Sequence, residues 1–210
     1  IAPWNYPFQL VMSPLISAIA AGNCVMIKPS ELSPATSKII SKIILNTFDE
    51  EQIACIEGNA EISKQLLELP FDHIFFTGST EIGKVVMTAA AKNLTSVTLE
   101  LGGKSPTIID KEVNLSKAAQ KIAWGKLVNA GQTCIAPDYI LIQKDLVDEF
   151  IGLYKQFASE MYFKAKEEID AKVYGKIISK KHFDRLEYLI SDAVEKGARI
   201  NWGGKSDEKT

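Results

Sequence analysis

Short apolar runs alternate with segments of helical period through the first half of this chain, and that alternation restricts its fold more than any other feature. Residues 24–27 (Cys-Val-Met-Ile) form a continuous apolar run, which predicts a strand buried on both faces, as in parallel sheets. It leads into the polar loop Lys28-Pro-Ser-Glu31. Ser33-Pro34 then predicts a helix start, as cap and first residue, followed by Ile39, Ile40, Ile43 and Ile44 at helical spacing. The pattern repeats with a weaker strand at 53–56 and a helix over 60–69 containing Ile62, Leu66 and Leu67. A strongly apolar strand follows at 73–76. The turn Thr77-Gly-Ser-Thr80 opens a helix expected to bury Ile82, Val85, Val86, Ala89 and Ala90. Val97, Leu99 and Leu101 then alternate with Thr98 and Glu100 as a further strand. Strands and helices alternating at this spacing predict an α/β fold: a parallel sheet with flanking helices and right-handed crossovers.

Before this series, Trp4-Asn-Tyr-Pro7 reads as a turn, with Pro7 suited to a first helical position. A mostly apolar, buried helix is expected over 8–21, kinked or interrupted at Pro14 and ended by Gly22-Asn23. Gly102-Gly103 is the best candidate boundary, dividing the chain into domains 1–101 and 102–210. Beyond it, a strand is expected at 107–109. Asn114 should cap a helix carrying Leu115, Ala118, Ala119, Ile122, Ala123 and Leu127, and a strand follows at 139–142. Asp145 should cap a helix with Val147, Phe150, Ile151, Tyr154 and Met161 on one face. Ser179 starts a last helix, stopped by Gly197.

Composition excludes several function classes. A chain of 210 residues that is 46% hydrophobic can build one large or two modest cores. Its net charge of −2, with both signs mixed along its length, provides no basic surface for nucleic acid or anionic lipid. Three cysteines at irregular spacing make no disulfide framework, and two histidines argue against a zinc site. Cys24 and Cys55 read as small core residues. No apolar run approaches the length of a transmembrane helix, and no charged-then-apolar leader precedes the first helix. A reducing, cytoplasmic compartment is therefore expected. The chain begins Ile1-Ala-Pro-Trp without a methionine and stops in a polar stretch, which reads as an internal piece of a longer protein.

Chemistry points to Asn129-Ala-Gly-Gln-Thr-Cys134. Its cysteine lies in a polar, glycine-containing turn, a setting in which a thiolate can form and react. Glu100 is a single carboxylate at the end of an apolar strand. A nucleophile and a carboxylate base suit a covalent mechanism followed by hydrolysis. The turn Gly78-Ser-Thr-Glu-Ile-Gly83 joins a strand to a helix, where backbone N–H groups favour a phosphate. Ordinary capping explains its glycines equally well. Lys84 occupies a P-loop lysine position, but Val85 follows where a hydroxyl must hold magnesium, which argues against a nucleotide triphosphatase. Lys28 and Glu31 stand at the C-terminal edge of the expected sheet, where α/β proteins bind ligands. Alone they read as solvated charges, Asn5 as a turn residue and Trp4 as a rim aromatic.

Taken together, these stretches resemble the aldehyde dehydrogenase family across essentially the whole chain. The resemblance rests on Pro3-Trp-Asn-Tyr-Pro-Phe8, Gly22-Asn-Cys-Val-Met-Ile-Lys-Pro-Ser-Glu31, Phe76-Thr-Gly-Ser-Thr-Glu-Ile-Gly83, Leu99-Glu-Leu-Gly-Gly-Lys-Ser-Pro106 and Asn129-Ala-Gly-Gln-Thr-Cys134, in the family's order. The stretches at 87–92, 134–138 and 174–179 look most like class 3 members. The resemblance implies a Rossmann-like cofactor domain over 1–101, part of a catalytic domain over 102–210, and oxidation of an aldehyde to a carboxylic acid through a thioester. It makes Cys134 the nucleophile and Glu100 the base that activates water. Asn5 becomes an oxyanion donor, with the backbone N–H of Cys134 as its partner. Lys28 and Glu31 are implied to bind the adenosine ribose, and Gly78 and Ser79 the pyrophosphate. Trp4 and Leu101 also fall on the cofactor side. NAD is the implied cofactor, with NADP also accepted, and a homodimer is the implied assembly. The family's Phe-Gly-Pro motif and dimerisation arms have no counterpart in this stretch, and a membrane tail beyond it stays open. A coenzyme-A-acylating relative and a non-catalytic binding or structural member are the alternatives. A cysteine hydrolase would need a histidine beside Cys134, and neither His73 nor His182 is well placed for that.

Overall fold

Three strand–helix–strand pieces build this molecule, and each closes a parallel pair of strands. The computed structural model describes residues 1–164 and 168–207. The chain divides into two compact units, Ile1–Gly102 and Gly103–Thr210.

In the first unit, helix α1 (Gln9–Ala20) precedes β1 (Val25–Ile27), which pairs in parallel with β2 (Ile53–Cys55) across helix α2 (Pro34–Thr47). Helix α3 (Ala60–Leu67) leads to β3 (His73–Thr77), which pairs with β4 (Ser96–Glu100) across helix α4 (Thr80–Ala91). The first two residues lie between these pairs. The Ile1 amine donates to Phe75 O at 2.9 Å, Thr77 N–H to Ile1 O at 3.1 Å, and Ala2 N–H to Lys28 O at 3.0 Å. Ile1 and Ala2 therefore fill a strand position between the ends of β1 and β3.

Two cores sit under these strands. Val11, Leu15, Ile27, Ile40, Ile44 and Ile53 form one, and Leu67, Ile74, Phe76, Val86 and Ala90 the other. Several expectations about burial need correction. β1 is not covered on both faces: Ile27 is buried, but Met26, on the opposite face, is exposed. In α1 only Val11 and Leu15 are buried, and Pro14 lies within an unbroken helical span. A proline there forgoes one hydrogen bond without ending the helix. The inner line of α2 is Ser37, Ile40 and Ile44, while Ile39 and Ile43 face outward. Val85 is 51% exposed, and α4 instead buries Gly83, Val86 and Ala90. The cause is Leu101: a Cβ on Gly83 would lie 2.8 Å from its Cδ2, so the glycine is the contact line. Cys24 is exposed, one residue before β1, and Cys55 is only partly buried. Burial pushes the Cys55 thiol up, with Glu57 adding to the effect.

In the second unit, β5 (Ser105–Ile109) pairs in parallel with β6 (Pro137–Ile142) across helix α5 (Leu115–Leu127), and helices α6 (Val147–Tyr162) and α7 (Lys180–Glu195) follow. The core is Ile109, Leu115, Ala119, Ile122 and Phe150. Asn114 accepts the Lys117 N–H at 3.0 Å and caps α5 as its sequence predicts. Asp145 does not cap α6; it lies inside a 3₁₀ turn, Lys144–Leu146, which puts Leu146 at the cap position. Ser179 caps α7 by accepting the His182 N–H, and Gly197, at φ +95°, lies past its end. Among the described residues no helix is long and apolar enough to cross a membrane.

Candidate functional site

β1 ends at Ile27 and delivers a lysine into the interior. Lys28 is 3% exposed, and its Nζ lies 2.7 Å from Glu31 Oε2. A buried ammonium is costly unless paired and hydrogen-bonded, and the i+3 carboxylate supplies the partner. Burial pushes the Glu31 carboxyl up, but hydrogen bonds from Lys28 and its own main chain, with the Lys28 charge, outweigh that and hold it below its ordinary range. Neighbouring hydroxyls pin the rest of the loop. Ser37 Oγ lies 2.8 Å from Ser30 O and 3.1 Å from Ser33 O, and Leu32 N–H donates to Ser30 Oγ at 3.3 Å. Ser33, expected to cap α2, makes no side-chain cap and donates to Ser30 O instead. Pro29, Ser30, Glu31, Pro34, Glu57 and Asn59 line a cavity of about 270 Å³ at this edge. Its size suits part of a ligand rather than a whole one. Sequence reasoning named Lys28 and Glu31 but missed Glu57 and Asn59. The available signal was their place after β2, at the same C-terminal edge of a parallel pair.

The second turn of this unit, after β3, is built on backbone. Gly78 N–H donates to Glu100 O at 3.0 Å, and a Cβ at Gly78 would meet the buried Phe76 ring at 2.4 Å, so only glycine fits. Ser79 caps α4, its Oγ accepting the Ile82 N–H at 3.4 Å. The first-turn N–H groups of α4 thus open beside Gly78, with the positive end of the helix behind them. Lys84 is turned outward to Glu81 at 3.3 Å and takes no part in the turn. Glu100 ends β4, exposed and in register with Thr77. The Leu101 side chain packs on α4 at Gly83, which leaves its main chain as the group it can present to a ligand. Trp4 and Asn5 are half-buried in the bend before α1. His73 lies at the other end of β3 from Gly78, its ring within 2.7 Å of Ser96 Oγ and 3.1 Å of Thr98 Oγ1. Thus the unit gathers the Lys28–Glu31 pair at one strand end, and Gly78, Ser79, Glu100 and Leu101 at another. Ile1 and Ala2 are hydrogen-bonded to both.

In the second unit, α5 ends in a 3₁₀ turn, Val128–Gly131, whose backbone departs from helical geometry. Asn129, Ala130 and Gly131 have φ of +53°, +54° and +74° in succession. Two adjacent non-glycine residues in the left-handed region are unusual and strained. Cys134 follows in a turn closed by an Ala136 N–H to Thr133 O bond of 3.2 Å, and it is half-buried, outside the core. A Cβ on Gly103 would meet Cys134 O at 2.9 Å, so the glycine admits the Cys134 main chain at close range. Asp138, just beyond, pairs with Lys104 at 3.3 Å and lies 3.7 Å from Lys126. Among the described residues no group of three or more His, Cys, Asp and Glu could hold a metal.

Comparisons with known proteins agree with these motifs. Residues 1–210 match the model of the aldehyde dehydrogenase family. The chain is 51% identical over 207 residues to AldX of Bacillus subtilis (strain 168), covering 99% of this chain and 46% of AldX. It is 49% identical over 211 residues to aldehyde dehydrogenase family 3 member A2 of Macaca fascicularis, with 100% and 42% covered. The substrate-bound state of Staphylococcus aureus AldH matches it with a TM-score of 0.89 at 47% identity, over 99% of this chain and 44% of that one. A Mycobacterium tuberculosis aldehyde dehydrogenase complexed with NAD+ matches with a TM-score of 0.88 at 30% identity, over 99% and 43%. The chain spans less than half the length of these relatives.

Proposed function

Because the chain belongs to the aldehyde dehydrogenase family, we propose that this protein oxidises an aldehyde to a carboxylic acid with NAD, and also with NADP, through a thioester on Cys134. The observation that carries the reading is the Cys134 loop: a thiol outside the core, three residues after a turn whose backbone is left-handed at 129–131. Residues 1–101 form the cofactor-binding domain and also supply Asn5 and Glu100, and residues 102–210 form the catalytic domain that supplies Cys134. The working protein is a cytoplasmic homodimer.

The Cys134 thiolate adds to the aldehyde carbon, a sulfur–carbon bond forms, and the carbonyl π pair moves to oxygen. The Asn5 side chain and the Cys134 N–H donate to that oxyanion. Donors placed where charge develops contribute about 2.7–4 kcal/mol each. Oxidised nicotinamide, when bound, would supply the two-electron acceptor for the hydride that leaves this carbon as the oxyanion pair re-forms the carbonyl, which leaves a thioester on Cys134. Glu100 then takes a proton from water, which attacks the thioester carbon. The carboxylic acid leaves, and the Cys134 thiolate returns.

Glu31, on the cavity of about 270 Å³, and the buried Lys28 paired with it bind the ribose hydroxyls, a reading supported by a partly exposed carboxylate held below its ordinary range there. Gly78 and Ser79 hold the pyrophosphate at the start of α4, while Trp4 and the Leu101 main chain border the cofactor. The deciding experiment incubates intact protein with a panel of medium-chain and aromatic aldehydes plus NAD or NADP and follows absorbance of reduced cofactor. Aldehyde-dependent reduction is expected with both. Its absence across the panel, with folded protein, would overturn the proposal.

A further inference from the structure

We infer that Gln132 is a positioning residue for Cys134, a role that rests on the proposed covalent function. Its carboxamide ties the strained turn to a distant segment of the same unit. Nε2 donates to Asn129 O at 3.0 Å and to Lys176 O at 3.1 Å, and Oε1 accepts the Ile178 N–H at 3.0 Å. Lys176 O and Ile178 N–H flank a single residue, so the side-chain amide pairs with that segment as a neighbouring strand's peptide group would. One residue further on, Ser179 caps α7, which anchors the segment at a 16-residue helix. Main-chain bonds complete the clamp: Gln132 N–H donates to Asn129 O at 3.1 Å, and Asn129 Nδ2 to Gln132 O at 3.4 Å.

The purpose follows from the backbone. Residues 129–131 occupy left-handed geometry that a chain abandons unless its surroundings hold it there. Cys134 begins three residues later, and both its thiolate and its N–H must meet the aldehyde within a fraction of an ångström. Gln132 fixes the intervening peptide without occupying the reactive side chain. Glutamate has the same size but sets a carboxylate oxygen against two carbonyls. Methionine has similar length and no hydrogen bonds.

Stopped-flow bursts of reduced cofactor separate positioning from bulk stability, because burst amplitude counts competent sites and burst rate reports acylation at each. In the intact protein, Gln132→Met should retain burst amplitude and aldehyde KM while the acylation rate falls about 10- to 100-fold. Gln132→Glu should be slower still, and its rate relative to wild type should recover as falling pH protonates the new carboxyl and restores a donor. Acylation at the wild-type rate in the remaining sites, with only amplitude lost, overturns the inference. So does a pH-independent ratio for Gln132→Glu, which covers the case in which Gln132→Met does not fold. Cys134→Ala is the control: a burst surviving in that variant would overturn the proposed function itself.

Discussion

The loop after β1 and the loop before β6 both carry residues of the proposed reaction, yet they are held in opposite ways. At 28–31 the proposed functional groups are also the supports. Lys28 and Glu31 bind each other, serine hydroxyls bond the main chain between them, and no residue of the loop has a positive φ. At 129–134 the two tasks fall to different residues. Cys134 is the proposed reacting group, while Gln132 ties the turn at 129–131 to residues 176–178 and Gly103 leaves room for the Cys134 main chain. The difference teaches where substitutions can be read cleanly. A change in the first loop mixes binding with stability, and a change in the second separates chemistry from support.

The sharpest test of that division is Cys134→Ala. It should remove the burst and lower turnover by on the order of 10⁴-fold or more, with a melting temperature within a few degrees of wild type. A large loss of thermal stability would show that the thiol supports its own loop, and the contrast would break. Glu100→Gln, in the exposed residue that ends β4, should keep the burst while steady-state turnover falls about 10²- to 10⁴-fold. Equal loss of both in stopped-flow traces would remove Glu100 from water activation.

Glu31→Gln probes the loop in which tasks overlap, so two effects should appear together. The 2′-phosphate of NADP would no longer meet a like charge, and kcat/KM for NADP relative to NAD should rise about tenfold. Glu57→Gln, on the same cavity, should shift the ratio in the same direction by less. Stability should change in a defined pH window as well. A carboxyl held below its ordinary range stabilises the fold above that range and loses its contribution as pH falls through the depressed value. Melting temperatures between pH 3 and 7 should therefore show a shallower acid limb in Glu31→Gln than in wild type. A cofactor shift with an unchanged acid limb would mean that Glu31 binds without supporting.

The smallest effect is expected at Ala130, whose φ of +54° glycine adopts without penalty. Ala130→Gly should change the unfolding free energy by no more than about 1 kcal/mol, in the stabilising direction, as read from denaturant midpoints. A loss larger than that would shift the emphasis from the backbone of this turn to the alanine methyl.

The strand–helix alternation and the site motifs were legible because both are local. Period and turns act over a few residues, and Asn114 and Ser179 cap the helices they were expected to start. Ser33 and Asp145 do not, because Ser33 donates to a neighbouring carbonyl and Asp145 lies in a local 3₁₀ turn. Which line of an apolar helix faces inward was not legible. Ile40 and Ile44 are buried and Ile39 and Ile43 are not, and Val85 lost its place to Gly83 because Leu101 packs there. Cys24 failed for a related reason: an apolar run shows that a strand passes, not which of its residues reaches the core. Gln132 gave no signal either, since its partners at Lys176 and Ile178 are 44 and 46 residues away.

Residues 1 and 2 also impose an order on folding. The pairs β1–β2 and β3–β4 join residues fewer than thirty apart, whereas the Ile1 to Phe75 bond spans a separation of 74. Closing the longer loop costs about 1 kcal/mol more in chain entropy, and nothing rewards that closure until both faces it joins exist. The two strand pairs can therefore assemble as fast, local events, and the gap between them fills afterwards. In pulse-labelled hydrogen exchange, the amides of Phe76 and Gly78, which face β4, should gain protection with the β3–β4 pair, and that of Thr77, which donates to Ile1 O, in a later, slower phase.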